Sequence, residues 1–131
     1  MPNNVEKMSI NYSPNFNTVK RHKKKIKYLI FHYTGMKSES SAIKKLTRIN
    51  SKVSCHYFIT KKGHLIQMVP DLYIAWHAGI SNWKRDKFLN RNSIGVEISN
   101  PGHQHGYKNF TKKQINTLIK LSKILIKKYK I

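Results

Sequence analysis

The hydrophobic and polar positions divide the chain into short apolar runs and two helical stripes. "KYLIFHY" (27–33) is almost continuously apolar and predicts a central strand covered on both faces, ended by Gly35. "SESSAIKKLTRI" (38–49) reads as a helix. Its serines supply an N-cap, and Ala42, Ile43, Leu46 and Ile49 form an apolar stripe. "SCHYFIT" (54–60) and "HLIQMV" (64–69) read as a strand pair, with the glycine of "KKG" at the turn between them. "YIAWHAGISNW" (73–83) is a short strand or loop rich in aromatics. "NSIGVEIS" (92–99) is a strand, and Gly95 inside it predicts close approach of another backbone or a ligand. "NPGHQHG" (100–106) is a loop by its turn residues.

The clearest helix comes last. Thr111 and Gln114 have the spacing of a capping box, and Ile115, Leu118, Ile119, Ser122, Leu125, Ile126 and Tyr129 lie on one face with lysines opposite. No Gly, Asn or Pro follows, so the helix reads as cut off at Ile131. Residues 1–25 are polar and predict an extended N-terminal arm, with the folded domain over 26–131.

A chain of 131 residues suits one domain with one core, and 16 isoleucines and 14 aromatic residues give it enough to bury. The formal net charge of +21 points first to an anionic partner. Of the 26 basic residues, however, 22 are lysine and only four are arginine. Base and phosphate recognition favours arginine, so the charge reads as a solvated lysine surface and no nucleic-acid partner is expected. The single cysteine, Cys55, excludes an intrachain disulfide. No apolar run has the length of a signal peptide or a membrane span. As written the chain reads as cytoplasmic, with the cell envelope as the alternative if an export signal is missing.

Glu97 sits among apolar residues on a predicted strand, where an unpaired carboxylate costs several kcal/mol. It reads either as half of an ion pair or as a general base with a raised pKa. His32 stands at the carboxyl end of a strand, where α/β sheets present ligands. His56 and His77 could line a cleft or be half-buried structural residues. His103 and His105 could face one metal from a loop, or lie in a solvated turn. A Cys55 thiol nucleophile is disfavoured, because no helix N-terminus is placed to lower its pKa.

Six segments in order resemble one family: "SPNFN" (13–17), "IFHYTGM" (30–36), "VSCHYFI" (53–59), "AWHAGISNW" (75–83), "NSIGVEISNPG" (92–102) and "FTKKQINTLIKL" (110–121). They are similar to the type 2 N-acetylmuramoyl-L-alanine amidases, zinc enzymes related to peptidoglycan recognition proteins. The resemblance implies an α/β fold in a single domain, with a mixed central sheet flanked by helices and a zinc cleft at one end of the strands. It implies a bacterial hydrolase that cuts the amide between N-acetylmuramic acid and L-alanine in peptidoglycan or its fragments, for cell-wall degradation or recycling. It makes His32 a zinc ligand and Glu97 the catalytic carboxylate. Tyr33, Thr34, His56, Trp76, His77, Trp83 and Asn100 would bind substrate. It also implies further zinc ligands after the last helix, beyond residue 131, so the domain reads as incomplete at its C-terminus. The expected partners are muropeptides, with the chain a monomer. The alternatives are a non-catalytic peptidoglycan-binding module, an inactive truncated remnant, and a basic nucleic-acid-binding protein whose affinity would fall steeply with salt.

Overall fold

A computed structural model describes residues 8–131. A five-stranded mixed sheet forms the middle layer, built from β1 (Met8–Ile10), β3 (Tyr28–Tyr33), β4 (Tyr57–Ile59), β5 (Leu65–Gln67) and β9 (Ser93–Ile98). The order across the sheet is β1-β5-β4-β9-β3. β9 runs parallel to both β3 and β4, and β4 and β5 pair antiparallel as the predicted hairpin. Two small pairs lie outside it: β2 (Phe16–Asn17) with β6 (Ile74–Ala75), and β7 (Asn82–Trp83) with β8 (Asp86–Lys87). Helices α1 (Glu39–Thr47) and α2 (Lys112–Tyr129) complete the fold. Among the described residues no helix is long and apolar enough to cross a membrane.

The period-two alternation of β9 divides the molecule into two cores. Ile94, Val96 and Ile98 point one way, into a cluster with Tyr57, Ile59, Leu65, Leu121, Leu125 and Tyr129 that α2 covers. Ser93, Gly95 and Glu97 point the other way. On that side α1 packs Ala42 and Leu46 against Cys55, Phe58 and Met68. The candidate site occupies the part of this second face that α1 leaves open.

β3 lies at the edge of the sheet, which corrects the reading of residues 27–33 as a central strand. Its apolar run is covered on one side only in part, and Phe31 and Tyr33 are 48% and 55% exposed. α1 begins where expected, with Ser38 Oγ accepting from Ser41 N–H at 3.1 Å, but Ile49 lies beyond the helix and is exposed. The capping box of α2 is complete. Thr111 Oγ1 accepts from Gln114 N–H at 3.1 Å, and Gln114 Oε1 accepts from Thr111 N–H at 3.0 Å. The buried face of α2 is turned from the expected stripe. Gln114, Leu121, Leu125 and Tyr129 are buried, whereas Ile115, Ile119 and Ile126 are exposed. On the buried face the Gln114 amide donates to the Ser99 carbonyl at 2.7 Å, Leu121 and Leu125 pack in the core, and Tyr129 Oη donates to Asp71.

Residues 8–25, read from the sequence as an arm, carry β1 and β2. β1 pairs with β5, and Asn11 and Ser13 donate backbone hydrogen bonds to Gln67 and Met68. Arg21 is buried from this segment. Its Nη2 donates to the Asp71 carbonyl at 2.9 Å and its Nη1 to the Asn90 carbonyl at 3.0 Å. Burial lowers the guanidinium to about 10, with the charge of Asp71 opposing, so it stays cationic at neutral pH. The Asp71 carboxylate accepts from Tyr57 Oη and from Tyr129 Oη, both at 2.5 Å, and so ties the end of α2 to β4. Burial pushes both phenols well above their ordinary pKa. Replacing Tyr129 by phenylalanine leaves one buried carboxylate oxygen without its donor. We expect a loss of about 1–3 kcal/mol in urea unfolding, with the m-value unchanged.

Candidate functional site

The site is built on the Ser93–Gly95–Glu97 face of β9. In the parallel ladder Glu97 is flanked by Phe58 of β4 and His32 of β3, so these three residues stand side by side. His77 arrives from the loop after β6, held by Asn90, whose Oδ1 accepts from the N–H groups of His77 and Ala78 at 3.1 and 2.8 Å. The His77 ring lies on Gly95. A Cβ placed on that glycine would sit 2.3 Å from His77 Cγ. The close approach that the glycine predicted is therefore made by a side chain.

Hydrogen-bond directions assign the protons of this cluster. Ser93 Oγ donates to the Leu89 carbonyl at 2.5 Å, so it accepts from His77 Nε2–H at 3.0 Å. His77 Nδ1 is then the acceptor, and His32 Nε2–H donates to it at 3.0 Å. Burial pushes both imidazoles below the usual histidine pKa, His77 well below, and both are neutral at pH 7. The relay His32, His77, Ser93, Leu89 carbonyl fixes the orientation of both rings.

Glu97 is treated differently. Its Oε2 is buried and has no hydrogen-bond partner. Desolvation raises its carboxyl to about 8, opposed by the charge of Lys45 on α1. It opens into a cleft of about 130 Å3 lined by Thr34, Met36, Lys45, Trp76 and His77, among others. This cleft can admit the reacting part of a ligand, while the rest must lie along the rim. Trp76 stands at this rim, with Nε1–H donating to Asn17 Oδ1 at 2.6 Å.

The structure brings together Glu97, His32, His77, Trp76 and Thr34 from the sequence-derived set. Four others do not line the cleft. His56 is fully buried. Its Nδ1 accepts from Gly95 N–H at 3.1 Å, so Nε2 carries the proton and donates to the Tyr73 carbonyl at 2.8 Å. Desolvation, with Arg21 nearby, lowers its pKa to about 4. It is a neutral structural brace packed edge-on against His77, with ring centroids 5.9 Å apart. Asn100 is also buried and clamps a loop, donating to the Lys108 carbonyl and accepting from Gly102 N–H. Trp83 lies on the β7–β8 hairpin, 57% exposed, and is absent from the cleft wall. Tyr33 follows His32 and so points to the opposite face of β3. Cys55 is buried, and desolvation raises its thiol pKa well above the ordinary value, so it is no nucleophile. His103 and His105 fall on an exposed turn, where His103 stacks on Tyr107 with ring centroids 5.0 Å apart. Asn90, Ser93 and Lys45 were not anticipated. Nothing in the sequence separates them from other polar residues.

The implied zinc can be tested against these side chains. Catalytic zinc takes three protein ligands and keeps one open position. Among the described residues no three His, Cys, Asp or Glu side chains are grouped to hold a metal. His32 and His77 supply two imidazoles, and the lone pair of His77 Nδ1 is already taken by His32. The residues present therefore do not fit a complete zinc centre.

Known proteins are similar to this chain in sequence and fold. A family model described as N-acetylmuramoyl-L-alanine amidase matches residues 22–131. The curated protein N-acetylmuramoyl-L-alanine amidase AmiD of Escherichia coli (strain K12) is 37% identical over 119 residues, covering 82% of this chain and 42% of AmiD. The chain thus spans less than half the length of that relative. A crystal structure of a selenomethionine derivative of AmpD superposes with a TM-score of 0.79 at 22% identity, over 95% of this chain and 76% of that one. AmiD from E. coli in complex with the substrate anhydro-N-acetylmuramic acid-L-Ala-D-γ-Glu-L-Lys superposes with a TM-score of 0.72 at 36% identity, over 82% of this chain and 45% of that one.

Proposed function

Because the chain belongs to the N-acetylmuramoyl-L-alanine amidase family, we propose that its cleft hydrolyses the amide between the lactyl group of N-acetylmuramic acid and L-alanine in peptidoglycan or its fragments. The observation that carries this reading is the unpartnered, buried oxygen of Glu97 opening into a cleft of reaction-sized volume. A carboxyl with a pKa of about 8 is poised near neutral pH, where it can both accept and release a proton. In the forward reaction Glu97 takes the proton of the attacking water. As the C–N bond breaks, the same carboxyl returns that proton to the leaving amine of L-alanine. The neutral His32–His77 pair forms one wall of the cleft, and Trp76 offers an apolar rim for sugar or peptide. Two imidazoles fall short of a zinc centre, so no step is assigned to a metal.

That shortfall favours a second reading, a non-catalytic module that binds muropeptides in the same cleft. The two readings separate in one experiment. The chain is incubated with N-acetylmuramoyl-L-Ala-D-γ-Glu-L-Lys, and the free tripeptide is sought by mass spectrometry. Release of tripeptide, with a new free L-alanine amine, supports the amidase. Saturable binding without release supports the module. Neither release nor binding would sink both.

A further inference from the structure

Lys45 of α1 lines the same cleft as Glu97, and no role has yet been given to it. Of the residues that line the cleft it is the one fixed cation, because the other titratable base there, His77, is neutral. The acid on its own helix, Glu39, is engaged elsewhere, accepting from the Lys61 N–H at 2.7 Å. Among the described residues the single salt bridge joins Lys27 to Asp86, so Lys45 has no carboxylate partner there within ion-pair distance. The nearest acid across the cleft is Glu97, which its charge reaches.

The ligand that the proposed function implies carries a matching group. In a stem peptide whose glutamate is joined through its γ-carboxyl, as in the ligand bound to AmiD, the α-carboxylate of that D-glutamate stays free. It is attached to the residue immediately after L-alanine. One extended residue spans about 3.6 Å, and the added N–Cα–C step brings the carboxylate to roughly 6 Å from the scissile nitrogen. With the scissile amide at Glu97, a group at that distance lies within the span of a small cleft and the reach of a lysine on its wall.

We propose that Lys45 is a specificity-determining residue that pairs with the free α-carboxylate of the second stem-peptide residue, a γ-linked D-glutamate, and so selects acidic stem peptides over those in which this group is amidated. The proposal rests on the cleft being the muropeptide site. The helix places the cation on a rigid element, so the pair forms with little ordering of backbone.

The test compares two ligands that differ in one group: N-acetylmuramoyl-L-Ala-D-isoglutamate and N-acetylmuramoyl-L-Ala-D-isoglutamine. Binding is measured by calorimetry to the Glu97→Gln chain, in which turnover is slowed, and to the same chain carrying Lys45→Met or Lys45→Arg. Lys45 is exposed, so neither change threatens the fold. The expected result is five- to tenfold tighter binding of the acid than of the amide, the range for a charge-assisted pair that is part-solvated, or about 1 kcal/mol. That preference should vanish in Lys45→Met, return in Lys45→Arg and weaken with salt. Equal binding of the two ligands, or a preference that survives Lys45→Met, overturns the proposal while leaving the muropeptide site standing. Absence of binding by either ligand overturns the site and the proposal together.

Discussion

Replacing Glu97 by glutamine is expected to lower muropeptide hydrolysis by about 10²- to 10⁴-fold, the range for loss of a positioned general base, with little change in KM. The glutamine fits the same space but can neither accept the proton of water nor return one to the amine. In the unmutated chain the rate should rise with pH through a midpoint near 8, because the carboxylate is the working form and burial holds its pKa at about 8. A rate that is flat between pH 6 and 9, or a glutamine variant with full activity, would remove Glu97 from the mechanism.

The same substitution carries a stability effect of opposite character. The folded pKa of about 8 lies above the model-peptide value of 4.5, so the folded chain holds a proton that the unfolded chain releases between these limits. Stability linked to Glu97 is fully present below about pH 4.5 and is lost as pH rises through 8. Glutamine has no charge to bury. Glu97→Gln should therefore match the parent at pH 5 and exceed it at pH 9 by about 2–4 kcal/mol, read as a rise in Tm of several degrees. A loss of activity together with a gain in alkaline stability is the signature of a group held in a strained protonation equilibrium for its chemistry.

Local signals in the sequence located the elements well, because they act over a few residues. Thr111 and Gln114 mark the start of α2, and Gly63 marks the turn between β4 and β5. What was not legible depends on pairings far apart in the chain. An apolar run such as residues 27–33 has the same appearance in a central strand and in an edge strand with one well-covered side. The buried face of α2 includes the polar Gln114, satisfied by the Ser99 carbonyl, which no periodicity of apolar residues contains. Glu97 and His32 could each be singled out as chemically odd. That they stand side by side depends on the parallel register of β3 with β9. His56 and His77 look alike in sequence, each a histidine after a bulky or apolar neighbour. They are separated only by position: the two rings are neighbours with centroids 5.9 Å apart, but His56 is fully buried with both nitrogens used by backbone, and His77 lines the cleft.

That seat on Gly95 is where fold and site meet, and Gly95→Ala is expected to damage both. The added methyl would lie 2.3 Å from His77 Cγ and 2.5 Å from Nδ1. These atoms belong to the near side of a buried ring, which has no free end to swing away. Either β9 moves, straining its ladders with β3 and β4, or the ring leaves. If it leaves, His32 Nε2–H and Ser93 Oγ both lose their partner. Overpacking and two broken buried hydrogen bonds together predict a loss of about 3–5 kcal/mol, with hydrolysis falling by at least about 100-fold as the cleft wall is lost. A merely local strain in β9 would make the same first prediction, so the pair must be tested as a cycle. His77→Ala removes the ring and leaves room for the methyl. In that background Gly95→Ala should cost less than about 1 kcal/mol, giving a coupling of several kcal/mol between the two positions. Additive losses in urea unfolding would mean that the glycine serves the backbone of β9 and that His77 rests there by coincidence.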